Sequence, residues 1–95
     1  MAAVVALSRW VLHLPASRSL KTKRQVVHGL RDRLQARFRV SAAETNFQNH
    51  RKMAELCAVI VTSDRTLADS ILTRLDRVVA SEPRATVVER ERVFL

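Results

Sequence analysis

Between Val4 and Leu14 the side chains sort by strict alternation, and Pro15 closes the run; that pattern predicts a β-strand. Val4, Ala6, Ser8, Trp10, Leu12 and Leu14 fall on one face, and Val5, Leu7, Arg9, Val11 and His13 on the other. The second set mixes polar with apolar groups, as expected of a strand with only one face on a core.

Past Pro15 the period lengthens. Ser19 can cap a helix from about Leu20 to Arg37, in which Val26, Val27, Leu30 and Leu34 form an apolar stripe that Leu20 extends. Arg39 to about Phe47 predicts a second strand and Asn46 to Lys52 a polar connector. Ala54 to Thr62 is a near-continuous apolar run suited to a central strand. Ser63 or Asp64 caps a second helix carrying Leu67, Ile71, Leu75, Val78 and Val79, which Pro83 ends, and Ala85 to Leu95 makes the last strand. The predicted order is β-α-β-β-α-β over one domain, residues 1–95. Its simplest solution is an α+β, ferredoxin-like arrangement: a four-stranded antiparallel sheet with two helices on one face. The other sheet face stays open, with Arg9, Val11 and His13 on it, to be solvated, covered by a second subunit or used to bind.

Ninety-five residues with 47% apolar content support one packed core. A lone cysteine, Cys57, excludes an internal disulfide and is expected to be an inert packing residue. The apolar start, Met1 to Leu7, is too short for a signal peptide and no run reaches membrane-spanning length, so a cytoplasmic protein with no membrane partner is expected. Gly29, the only glycine, excludes Gly-rich phosphate loops; inside the first helix it costs about 1 kcal/mol relative to alanine, and nothing in the sequence accounts for it. His13, His28 and His50 match no metal-ligand spacing, so neither metal nor cofactor is expected. No nucleophile–base pair can be assembled, and a non-enzyme is expected. Glu89 and Glu91, between Arg90 and Arg92, read as an ordinary charged edge strand.

The charge is unevenly spread. Residues 9–52 hold 11 Lys/Arg against Asp32 and Glu44, hence +9; residues 53–95 hold six basic and seven acidic residues, hence −1, which together give the net +8. Arg18, Lys21, Lys23 and Arg24 crowd the start of the first helix, where free N–H groups and the helix dipole already make the end positive. A docked anion would relieve that repulsion. Lys21, Arg24, His28 and Arg31 also share one flank, spaced as a row that could track a phosphate backbone. The candidate phosphate- or RNA-binding residues are therefore Ser17, Arg18, Ser19, Lys21, Lys23, Arg24, His28 and Arg31. The simpler alternative is a solvated basic face whose repulsion salt screens.

The segment Leu12-His13-Leu14-Pro15-Ala16-Ser17-Arg18-Ser19-Leu20-Lys21-Thr22-Lys23-Arg24, then Val26-Val27 and Leu34-x-x-x-Phe38-x-Val40-Ser41-x-Ala43-Glu44, resembles the YlxP-like family of small bacterial proteins. That family carries a domain-of-unknown-function label, so it supplies no catalytic residues. The resemblance implies a ferredoxin-like fold and, through the family's gene neighbourhood of transcription termination, translation initiation and ribosome maturation, a role near RNA. After Glu44 this chain departs from the family's acidic and aromatic continuation with the more basic Thr45-Asn46-Phe47-Gln48-Asn49-His50-Arg51-Lys52.

The expected function is a non-enzymatic RNA- or ribosome-associated accessory protein that docks phosphate through the basic helix face. Trp10 falls on the core face and the third strand has no aromatic, so backbone and shape recognition is expected rather than base stacking on the sheet. The alternative is a homodimer or protein-interaction module using the open sheet face. A third reading is a sensor for a small anion or nucleotide, with one phosphate at the helix start.

Overall fold

The computed structural model describes residues 2–95. In chain order it contains β1 (Val4–His13), α1 (Leu20–Phe38), β2 (Ser41–Asn46), β3 (Met53–Thr62), α2 (Arg65–Ala80) and β4 (Thr86–Phe94). The strands lie in the order β2-β3-β1-β4, and every neighbouring pair is antiparallel. Both helices pack on one face, α1 over β2 and β3, α2 over β1, β3 and β4. This is the expected ferredoxin-like arrangement.

Local chemistry sets the boundaries. The Ser19 hydroxyl accepts the Thr22 N–H and starts α1; the Asp64 carboxylate accepts the N–H groups of Thr66 and Leu67 and starts α2. Arg39 takes the left-handed conformation (φ 52°) that closes α1, so β2 begins at Ser41 rather than at Arg39. Helix α2 stops at Ala80, before Pro83, where Ser81 turns its N–H and hydroxyl back onto the last carbonyls.

The core takes Trp10, Leu12 and Leu14 from the first strand and its end, the Val26, Val27, Leu30 and Leu34 stripe from α1, Leu56 from β3, and Leu72 and Leu75 from α2. Each large side chain buried this way stabilises by about 1.5–3 kcal/mol. The α2 stripe differs from expectation: Leu67 is exposed and Ile71 only partly covered, while Ala68, Leu72, Leu75 and Val79 are buried with Asp76 in the same row. Asp76 can sit there because the Trp10 indole N–H donates to its Oδ1 at 2.8 Å and Arg92 donates to its Oδ2 at 2.7 Å. The helix therefore turns Asp76 inward and leaves Leu67 outside.

Candidate anion-binding surface

The segment from Leu14 to Ser19 carries the chain from β1 into α1. It is tied by the Ser17 N–H to the Leu14 carbonyl and by the Lys52 ammonium to the Pro15 carbonyl. Ser17 is buried, and its hydroxyl donates to the Ser19 carbonyl at 3.1 Å, so it shapes the turn and offers no surface to a ligand. Ser19 is likewise occupied: besides capping Thr22 it bonds the Thr22 hydroxyl at 3.0 Å.

The expected site then divides. Arg18, just before the Ser19 cap, and Lys21 and Arg24, on the first turns of α1, are exposed and, among the described residues, have no carboxylate partner. His28 places Nε2 at 3.7 Å from Glu44 Oε1, and Arg31 pairs with Asp32 at 3.0 Å. An exposed pair of that kind is worth well under 1 kcal/mol, so Arg31 remains free to exchange its carboxylate for a phosphate.

Lys23 leaves the site altogether. Its side chain is fully buried, with Nζ at 2.9 Å from Glu44 Oε2, and it donates to the carbonyls of Phe47 at 2.7 Å and Gln48 at 3.3 Å. The ammonium hydrogen-bonds two carbonyls and forms an ion pair with Glu44, whose buried Oε2 has no hydrogen-bond partner among the described residues. The residue fastens α1 to β2 and to the turn after it, where Phe47 adopts a positive φ of 61°. The sequence contained the sign of this: Lys23 stands three, four and seven residues before Val26, Val27 and Leu30, on the apolar stripe itself.

The open sheet face holds a different constellation. Cross-strand partners share a face, so Arg9 lies beside Cys57 and Glu91, and Val11 beside Glu55 and Glu89. Arg9 reaches Glu55 at 2.8 Å, Glu89 at 2.5 Å and Glu91 at 3.4 Å. Those contacts, Glu89 first and then Glu55, hold the guanidinium further above its already high pKa. Glu55 is pushed below the usual carboxylate range, first by the Thr45 hydroxyl that donates to it at 2.8 Å and then by Arg9, while burial acts in the opposite sense. Thr45 points this way because alternation along β2 sends Glu44 to the helix side with Leu56 and Thr45 to the open side with Cys57 and Glu55, just where the register with β3 shifts.

Cys57 is on this face too, partly exposed and 3.2 Å from the Thr45 hydroxyl, rather than in the core. His13 pairs with Met53, four positions from Cys57 along β3, and His50 accepts the Lys52 N–H in the loop beyond. Glu89 and Glu91, read from sequence as ordinary edge charges, are ligands of Arg9. Their alternation with Arg90 and Arg92, which reach Asp76 on the other side, was visible; the convergence on Arg9 needed the strand pairing.

A second basic cluster was missed. Arg37 and Phe38 at the end of α1 line an open groove with Arg74, Arg77 and Val78 of α2. Its arginines come from opposite halves of the chain, so no local pattern marks it. Among the described residues, no helix is long and apolar enough to cross a membrane.

Among solved structures, the de novo designed protein Foldit4 is similar at 12% identity and a TM-score of 0.59, over 99% of this chain and 97% of that one. A second design, LFR1 1 with ferredoxin fold, is similar at 14% identity and a TM-score of 0.50, over 96% of this chain and 83% of that one. The periplasmic protease PqqL from Escherichia coli gives 14% identity and a TM-score of 0.59; the match covers 86% of this chain but 10% of the protease. Similarity at these identities shows the fold alone. No curated protein matches. The family model for DUF503, described as a protein of unknown function, matches residues 5–92. With nearly its whole length matched, the chain belongs to the DUF503 family.

Proposed function

We propose that this protein, whose helix-start segment resembles the YlxP-like family, is a non-enzymatic accessory protein that binds the phosphate backbone of RNA, on a ribosomal particle, through the first turns of α1. The observation that carries this reading is the set Arg18, Lys21 and Arg24: exposed, without a carboxylate partner among the described residues, and placed beside the free N–H groups of a helix whose first turn holds no acidic residue. Arg31 extends the contact along the same flank, and His28 joins it at the margin over Glu44.

Titrating structured ribosomal RNA at several salt concentrations, with the native protein and the Arg18/Lys21/Arg24→Glu variant, tests the reading. Native affinity falls steeply with salt. The variant flattens the log–log slope by about 0.7–0.9 for each lost phosphate contact. Equal affinity and equal slope in the two proteins, with the variant still folded, rejects it.

The open face supports a second reading, a protein-interaction or homodimeric module. Val61 is 68% exposed there, with Val5, Leu7, Val59 and Val93 partly exposed around it. Sedimentation over a range of concentrations checks the homodimer: a single monomeric species removes it.

A further inference from the structure

The groove between α1 and α2 has a volume of about 410 Å³ and an apolar base of Phe38 and Val78 beneath Arg37, Arg74 and Arg77. That size falls in the range of small-molecule sites. Among the described residues none of the three arginines meets a carboxylate. Their neighbours do: Arg33 and Arg84 hold Glu82, and Arg90 and Arg92 hold Asp76. The negative end of the α1 dipole, equivalent to about half an elementary charge, offsets only a fraction of three unit charges. The groove is therefore a well of positive potential.

Its parts also differ in geometry. The Arg74 guanidinium lies over the Phe38 ring, 5.3 Å from the centroid, and the residue is exposed on its outer side. A guanidinium held on an aromatic ring presents its free plane for stacking by a second flat group, such as a nucleobase. Arg37 and Arg77 flank it with exposed forks suited to phosphate oxygens.

We propose that this groove is a nucleoside-phosphate site, with the phosphate between Arg37 and Arg77 and the base laid on Arg74. It stands apart from the first turns of α1: at the helical rise, Arg37 is about 20 Å along the axis from Arg24. It does not depend on the RNA-binding reading of those turns. The nucleotide can come from solution or from an unpaired 5′ end of RNA, which shares its chemistry.

The test is an NMR titration at physiological salt, following backbone amides and arginine Nε–H resonances, with ADP and then inorganic pyrophosphate as probes. The native protein is set beside Arg74→Gln/Arg77→Gln and the control Lys21→Gln/Arg24→Gln. ADP is expected to give saturable shifts centred on Phe38, Arg74 and Arg77, weakened at least tenfold in the groove variant and unchanged in the control, with pyrophosphate several-fold weaker than ADP. A 5′-phosphorylated single-stranded oligonucleotide that displaces ADP supports the site with RNA as the source; failure to displace supports it with free nucleotide as the source. Shifts that never saturate, an undiminished response in the groove variant, or pyrophosphate bound as tightly as ADP each overturn the proposal.

Discussion

On the helix-covered side of the sheet, Lys23 is buried against Glu44, Arg31, Arg33, Arg84, Arg90 and Arg92 meet carboxylates, and Arg18, Lys21, Arg24, Arg37, Arg74 and Arg77 are exposed with no carboxylate partner among the described residues. On the open side a single arginine, Arg9, is held by Glu55, Glu89 and Glu91 among partly exposed valines. One positive against three negative groups leaves the open face at −2, so the rest of a chain with net charge +8 carries +10. The same four strands separate these surfaces because successive side chains point to opposite faces. In β4 the separation is explicit: Glu89 and Glu91 go to Arg9, while Arg90 and Arg92 go to Asp76 under α2. Charge in this molecule is thus sorted by face.

The contrast can be broken most severely at its buried pair. Replacing Lys23 with Met strands the Glu44 carboxylate and removes the donor to the Phe47 and Gln48 carbonyls, and should cost about 3–5 kcal/mol. Lys23→Met with Glu44→Leu should recover much of that loss. Urea denaturation of both variants measures the difference, and a single variant as stable as the native protein would show that the pair is not closed to water.

A smaller effect is expected on the outer side of α1. A Cβ at Gly29 would meet nothing within 4 Å, and its φ is not positive, so neither packing nor backbone geometry requires glycine there. Gly29→Ala should stabilise by about 0.5–1 kcal/mol, read as a rise in Tm. A fall in Tm would point to a contact at this position.

The smallest effect belongs to the open face. Glu55 has a lowered pKa in the folded state, so its contribution is full above the unfolded value, about 4.3, and is lost as pH falls through the folded value. Glu55→Gln should therefore cost about 0.5 kcal/mol or less at neutral pH and give a shallower decline in stability below about pH 4.3. Denaturation midpoints from pH 7 to pH 3 check this. An unchanged acid limb would mean that Glu55 gains nothing from Thr45 and Arg9.

Much of this was legible in the chain. Alternation in β1, the Ser19 and Asp64 caps and the α1 stripe prescribe their elements because each depends on neighbours within a turn or two. The stripe also held the warning about Lys23, which its place at the helix start turned into a candidate binding residue. Grouping charges by position along the chain, strongly basic before residue 53 and nearly neutral after it, pointed to the helix start but hid Arg74 and Arg77, which lie in the nearly neutral half.

The sequence by itself determined the order of elements, the two caps, the apolar stripe of α1 and the crowding of cations at its start, since all of these follow from periodicity and local hydrogen bonding. Tertiary structure alone decided which charges meet. It brought Glu44 to Lys23, three carboxylates to Arg9, Asp76 beneath Trp10, and Arg37 to Arg74 and Arg77. Those partners are separated by tens of residues, and only strand register and the packing of two helices on one face bring them within contact distance.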